Sequence, residues 1–332
     1  MRMQTAKCLL HIGAPKTGST ALEKFLANNR NTLAQLGWQY PDVSLRGFGH
    51  HDFAFLIGGG YPEWAIPQAR PLEELVQDLK MSLTGAPGCI MSSENFFLLP
   101  NPRGVAEILS QANFPPGDSK IVVYVRRQDE AHISWYNQVV KAQGYTGAIT
   151  ECIAENRDLW NYADRLKSWE EVFGRDNLVV RPYQAGDLLE NDIRADFLSV
   201  AGLTPEHFNW HEEPINTRIN ADILRFQRSI NRLPLSYPEK RRFHKQLIAL
   251  TAATKDTGLF DDSPLLSTKQ RKEILSTYAA SNAEVARTYL GRERLFKEDI
   301  PDAPEPIAGE EGLTMDKLIY ILGWILLRRD DV

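Results

Sequence analysis

The chain has few cysteines, and they are poorly placed for cross-linking. Cys8, Cys89 and Cys152 are three in 332 residues. An odd number at wide spacings gives no disulfide framework and no zinc-ligand spacing, so they read as reduced core thiols. An excess of positive charge is missing too: 38 lysines and arginines against 43 aspartates and glutamates leave a formal net charge of −5. That balance argues against bulk attraction to nucleic acid or to an anionic membrane, while a local basic cleft stays compatible with it. The apolar run Leu318 to Leu327 is free of charge for ten positions, short of the roughly 17–25 residues that a membrane-spanning helix needs. No internal repeat or low-complexity tract is visible. Met1 leads almost directly into a first apolar strand, so neither a signal peptide nor a membrane anchor is expected there.

What the chain does have is a phosphate cradle near its start, His11 to Thr20, His-Ile-Gly-Ala-Pro-Lys-Thr-Gly-Ser-Thr. Upstream, Lys7 to Ile12 carries a short apolar run suited to a strand buried in a parallel sheet. Downstream, Leu22, Phe25, Leu26, Leu33 and Leu36 recur at helical spacing, which predicts an amphipathic helix from Ser19 to about Leu36. A glycine-bearing turn between the two aims unpaired backbone N–H groups and the helix dipole at one point, and an anion belongs there. Gly13, four residues, Gly18, Ser19 and Thr20 nearly reproduce the P-loop frame of ATP- and GTP-binding proteins. The lysine position of that frame, however, holds Ser19, and the lysine has moved to Lys16.

A second strand candidate, Ile121 to Val125, ends in Arg126, with Ser134 eight residues on in a helix predicted from about Asp129. A guanidinium making charge-assisted bonds and a hydroxyl taking another oxygen suit a terminal phosphate monoester. The two motifs together resemble those of sulfotransferases that use 3′-phosphoadenosine 5′-phosphosulfate (PAPS): a 5′-phosphosulfate loop, and an arginine at a strand end with a serine eight residues later for the 3′-phosphate. The likeness is patchy over roughly Lys7 to Phe296, dense at the two motifs and thin between Pro41 and Gly88. It includes the turn Gly37 to Pro41 and the stretch Ser281 to Arg292, both similar to bacterial carbohydrate-type members. Residues Pro15, Lys16, Thr17, Gly18, Ser19, Thr20, Arg126 and Ser134 are thereby implied as donor-binding residues. The resemblance also implies a P-loop nucleoside-triphosphate-hydrolase-like α/β fold of three layers, a central parallel sheet flanked by helices. Golgi members of the family carry a membrane anchor; without one, a cytoplasmic enzyme is implied.

Further candidates follow along the chain. His50 and His51 stand beside Asp52. Adjacent histidines point in different directions on any regular element, so a shared metal site is not expected; either a solvated or capping role, or contact with the acceptor and help with proton transfer, fits them. Cys89 to Met91 is a third strand candidate leading into Ser92-Ser93-Glu94-Asn95. A carboxylate just past a parallel strand lies in the crevice where open α/β sheets bind ligands, which makes Glu94 the candidate general base. The plainer reading is a helix-start glutamate with Ser92 or Ser93 as N-cap. Arg127 is a second phosphate ligand or a surface charge, and His132 and Lys141 read as solvent-facing. Thr146 to Gly174 is predicted helical and Leu178 to Val180 a strand; Tyr183 beyond it is implied to frame the nucleotide pocket, although Gln184 replaces the family's usual acid. The polar loop Glu212 to Arg218 is implied to fold over the donor.

The sequence thus predicts one α/β sulfotransferase domain over 1–299, a Pro-rich linker over 300–317 and a short apolar C-terminal helix with a charged tail over 318–332. That helix docks back onto the body or serves as a partner or membrane-surface contact. The implied activity is transfer of a sulfuryl group from PAPS to a hydroxyl, or less readily an amine, of a carbohydrate-type acceptor. Lys16 would stabilise the leaving group and Glu94 take the proton, leaving 3′-phosphoadenosine 5′-phosphate (PAP) and requiring no metal. The rival readings are a P-loop nucleotide kinase or NTPase and a non-catalytic nucleotide-binding adaptor.

Overall fold

A computed structural model of the chain describes residues 7–68, 70–210, 218–240, 243–260, 263–297, 299, 300, 302 and 313–328. In chain order its elements are β1 (Cys8–His11), α1 (Ser19–Asn28), α2 (Arg30–Gln35), β2 (Trp38–Gln39), α3 (His51–Ile57), α4 (Leu72–Ser82), β3 (Gly88–Ser92), α5 (Arg103–Gln111), β4 (Ser119–Val125), α6 (Gln128–Gln143), α7 (Ile149–Glu155), α8 (Tyr162–Phe173), β5 (Leu178–Pro182), α9 (Ile193–Val200), α10 (Ala221–Ile230), α11 (Tyr237–Lys240), α12 (His244–Ala253), α13 (Thr268–Thr277), α14 (Ala279–Val285) and α15 (Met315–Leu327). They fall into two compact units. One comprises Met1–Arg127, Asp158–Pro214 and Tyr278–Glu298, the other Gln128–Arg157, Ile215–Thr277 and Asp299–Val332.

The first unit is α/β. Its five strands form one all-parallel sheet in the order β2-β3-β1-β4-β5. Every residue of β1 is buried, as are all of β3 and nearly all of β4, which is why these strands read as unbroken apolar runs rather than as alternating ones. The chain starts in the middle of the sheet at β1, goes to the β2–β3 side, and then crosses to β4 and β5. Between those two directions lies a topological switch point, and the carboxyl ends of β1, β3 and β4 open there. Leu22, Phe25 and Leu26 of α1 pack with Leu9, Ile90 and Val122 of the sheet and with Phe197 and Leu198 of α9.

The second unit is helical. Tyr136, Val139 and Val140 of α6, Ile223 and Leu224 of α10, and Leu247 and Leu250 of α12 share a core with Ile321 and Ile325 of α15. The C-terminal helix thus docks on its own unit through one face, while Ile319, Leu326 and Leu327 remain exposed. Among the described residues no helix is long and apolar enough to cross a membrane.

Three expectations are corrected. The helix from Ser19 to Leu36 is broken at Asn29, whose side-chain amide donates to Phe25 O at 2.9 Å and to Asn209 O at 3.0 Å while its Oδ1 accepts from Asn209 N; an asparagine that bonds backbone competes with helix continuation. The stretch Thr146 to Gly174 divides into α7 and α8. Asn156 closes α7 by donating to Cys152 O at 2.8 Å, and the chain passes from one unit to the other after Arg157. Arg127, His132 and Lys141 are all buried rather than solvent-facing. For the last two the reason is that α6 is enclosed on most of its faces. Most of the loop Glu212 to Arg218 and of the linker 300–317 lies outside the described residues.

Candidate active site

The cradle is built by continuing the β1–β4 pairing past the end of β1. Ile12 N donates to Val122 O at 3.0 Å, Ala14 N to Tyr124 O at 2.7 Å, and Tyr124 N to Gly13 O at 2.6 Å. The chain then turns sharply through Lys16, a non-glycine residue at φ 67°, and Gly18 at φ 83°. Side chains adopt the left-handed region at a cost of about 1–3 kcal/mol, which is sustained where the surroundings fix the turn. Here Thr17 Oγ1 donates to Ala14 O at 2.7 Å across the bend. Gly18 is the N-cap of α1 and supplies no capping side chain, so no side chain at that position takes up the N–H groups of Ser19 and Thr20. Pro15, Thr17 and Ser19 are buried, Lys16 and Gly18 half-buried, and Thr20 exposed.

Arg126 reaches this loop from the end of β4. Its Nη1 donates to Lys16 O at 3.1 Å. Tyr162 of α8 fixes its backbone, the hydroxyl donating to Arg126 O at 2.6 Å and accepting from Arg126 N at 3.2 Å. Burial lowers the pKa of the Lys16 ammonium; the charge of Glu94 works against that fall and the charge of Arg126 adds to it. A bound anion would favour the charged lysine in the same way as Glu94 does. Tyr183 stands against the loop as well, since a Cβ placed on Gly18 would lie 3.1 Å from its hydroxyl. Ser134, the other residue of the second motif, sits half-buried in the second turn of α6.

Glu94 opens a short turn of 3₁₀ helix directly after β3, with Ser93 as N-cap accepting from Asn95 N at 3.2 Å. The capping and the cradle contact coexist: Ser19 Oγ donates to Glu94 Oε2 at 2.5 Å. Loop and turn touch here, because a Cβ on Gly13 would come within 3.1 Å of Glu94 Cα. Lys16, Ser19, Arg126 and Glu94 are thus brought to the carboxyl ends of β1, β3 and β4.

Behind them lies a polar cluster whose buried acid, Glu23, pattern reading missed. Glu23 sits one turn after Ser19 on α1 and is buried among Leu22, Phe25 and Leu26. Ser92 Oγ donates to Glu23 Oε1 at 3.0 Å, so it must accept from His11 Nδ1, 2.7 Å away. His51 Nε2 lies 3.5 Å from Glu23 Oε2. His51 Nδ1 is 2.7 Å from Ser93 Oγ and 2.9 Å from Asn95 Nδ2. Burial raises the pKa of Glu23, while its bonds to His51 and Ser92 pull it back. For His51 burial opposes the charge, but the bond to Glu23 and the charges of Glu23, Glu94 and Asp52 outweigh it, and its pKa is raised. His50 is different. It is fully buried with Nε2 3.0 Å from Pro41 O and Nδ1 beside the Ser92 backbone, and burial holds it at about 3. The sequence signal for Glu23 was available: an acid inside the apolar stripe of α1, four residues beyond Ser19.

Among the described residues no group of three or more His, Cys, Asp or Glu side chains is arranged to hold a metal. No family model matches the chain. An uncharacterized protein of Archaeoglobus fulgidus is 27% identical over 209 residues, 62% of this chain and 55% of that protein, so the chain spans about half the length of this curated relative. Among solved structures, a sulfotransferase from Alicyclobacillus acidocaldarius is similar at 17% identity, over 66% of this chain and 88% of that one, with a TM-score of 0.43.

Proposed function

We propose that the chain is a sulfotransferase that moves a sulfuryl group from PAPS to a hydroxyl of a carbohydrate-type acceptor. The observation that carries this reading is the pairing at the cradle: the lysine sits in the bend at Lys16, held by Arg126, while the position that would be lysine in an NTPase is Ser19, bonded to Glu94. A lysine in the bend reaches the 5′-phosphate and the bond beyond it rather than a β,γ-phosphate pair. In the sequence, Arg126 is followed eight residues later by Ser134, a guanidinium and a hydroxyl of the kinds that suit a 3′-phosphate.

In this reading the transfer is a loose, in-line displacement in which positioning and electrostatics supply most of the acceleration. The S–O bond to the 5′-phosphate breaks as the acceptor oxygen bonds to sulfur. Lys16 and the backbone N–H groups from Thr17 to Thr20 stabilise the charge that develops on the departing phosphate oxygens. Glu94 takes the acceptor's proton. The sulfuryl group carries less negative charge than a γ-phosphoryl group, so the step as proposed calls on no divalent ion.

Calorimetry with PAP, and with ATP plus magnesium as the contrast, tests the reading. The expected result is saturable binding of PAP and weaker or no binding of ATP. Indifference to PAP would overturn the proposal, and preference for ATP with magnesium would favour a nucleotide kinase. PAP binding without sulfate transfer to any of a panel of glycan, lipid and small-alcohol acceptors would favour the adaptor reading.

A further inference from the structure

All four residues from Ser92 to Asn95 are tied, directly or through one side chain, to α1. Ser92 bonds Glu23, Glu94 bonds Ser19, and Ser93 and Asn95 both meet His51 Nδ1, whose other nitrogen faces Glu23. Ser19 and Glu23 are four apart on one helix, so both ties originate on the same face of the element that also ends the cradle. The two residues at His51 Nδ1 are the ones on either side of Glu94. We infer that His51, backed by Glu23, is a positioning residue for Glu94: it pins both neighbours of that carboxylate and so fixes its distance from the phosphate loop.

Three features support this. First, Ser93 Oγ and Asn95 Nδ2 lie 2.7 and 2.9 Å from Nδ1, and Nε2 faces the Glu23 carboxylate at 3.5 Å. The ring orientation is therefore set from both ends, with an acid standing behind the histidine. Second, the Glu23 carboxylate is itself confined. Gly49 lies against it so closely that a Cβ there would be 2.6 Å from its carboxyl carbon, and Arg46 pairs with Asp52 next to His51 in the chain at 2.8 Å, leaving Glu23 to the histidine. Third, a buried carboxylate is costly unless paired and bonded, and nothing in the proposed chemistry uses Glu23 directly. A role in holding the base accounts for its burial beside the site.

This inference rests on the assignment of Glu94 made above, and the test separates the two. Three variants are compared with the parent: His51→Ala, His51→Asn, whose amide replaces Nδ1, and His51→Gln, whose amide replaces Nε2. Amide hydrogen exchange over Ser93 to Phe97 is read first, since it requires no nucleotide. Release of labelled sulfate from PAPS to water, and PAP affinity by calorimetry, are read second.

The Ala and Gln variants are expected to exchange faster across the turn and to lose sulfate release by about 10²-fold, the scale of a misplacement of roughly 1 Å. The Asn variant, which keeps a group at Nδ1 but none toward Glu23, is expected to recover most of both. PAP affinity should stay within about threefold of the parent in all three, because the cradle does not include His51. Parent-like exchange in His51→Ala, or an Asn variant as impaired as Gln, would overturn the inference. If the Ala variant fails to fold, the Asn and Gln pair decides it. If the parent neither binds PAP nor releases sulfate, the sulfotransferase reading falls while the exchange comparison still judges the positioning.

Discussion

Ser19 Oγ donates to Glu94 Oε2 at 2.5 Å, so the serine that closes the cradle and the carboxylate that opens the turn after β3 hold each other. A donor phosphate that takes the Ser19 hydroxyl must therefore displace a negative charge. Glu94→Gln keeps the shape and removes that charge. Transfer of labelled sulfate is expected to fall by about 10²-fold or more, the ordinary contribution of a general base, while PAP binds at least as tightly as to the parent. Full transfer activity in this variant would return the search for the base to the histidines.

Lys16 and Arg126 are predicted to separate in their effects. Lys16→Ala removes a charge matched to the departing phosphate and should lower the transfer rate by about 10²–10³-fold. In the proposed function the Arg126 guanidinium holds the nucleotide, so Arg126→Ala is expected to weaken PAP binding by about 10–100-fold. The Arg126 side chain also bonds Lys16 O, so a smaller rate loss accompanies it. Equal kcat with unchanged PAP affinity in both would remove the site assignment.

Stability should fall steeply in mild acid. His11 and His50 are fully buried, and burial lowers each from 6.5 to about 3. Between those values the unfolded chain binds protons that the folded chain refuses, so stability rises with pH there and is lost as pH falls. Each histidine contributes about 1.4 kcal/mol per pH unit, together about 3. Urea unfolding between pH 6 and 4 measures the slope. His132, which burial lowers to about 4, adds to the same slope, so His50→Asn is expected to flatten it by about a third; an unchanged slope would mean that His50 is not buried neutral.

Gly49→Ala would drive a methyl carbon to 2.6 Å from the Glu23 carboxyl carbon. A destabilisation of about 1–3 kcal/mol is expected, as for other overpacked sites. Combining it with Glu23→Ala should relieve much of that loss, giving a coupling above the ~0.5 kcal/mol seen for independent sites. Additive effects in thermal or urea unfolding would show that the two do not touch.

The C-terminal helix gives a contrast within one element. Ile321 is fully buried and Leu326 is 66% exposed. Ile321→Ala is expected to cost about 2–4 kcal/mol and Leu326→Ala less than about 0.5. Similar small values for both, measured by chemical unfolding, would mean that α15 does not dock.

Much of the sheet was legible because buried parallel strands are mostly apolar: β1, β3 and β4 announced themselves as such runs, and the half-buried edge strand β5 through Leu178 to Val180. The two-residue β2 carries no such pattern. The loop was legible because its glycines and displaced lysine form a local motif, and Glu94 because it follows a strand. What periodicity does not report is the partner of a side chain. Asn29 looked like one more helical residue until its amide was seen to bond Asn209 backbone from far along the chain. His132 and Lys141 looked solvated because α6 was expected to show one exposed face, and it does not. Glu23 was passed over for the same reason: one acid in an apolar stripe reads as an imperfection, and its meaning appears only once Ser92 and His51, remote in sequence, are placed beside it.

The helical unit is drawn from Gln128–Arg157, Ile215–Thr277 and Asp299–Val332, so the polypeptide leaves and re-enters each unit more than once. Neither can be expressed alone as an uninterrupted fragment, and a protease cut between them would not release a self-contained piece. The last strand of the sheet also joins only after the first helical excursion has been synthesised. Such long-range closure slows folding relative to a chain of local contacts, and it ties completion of the sheet that bears the cradle to parts of the sequence far beyond it.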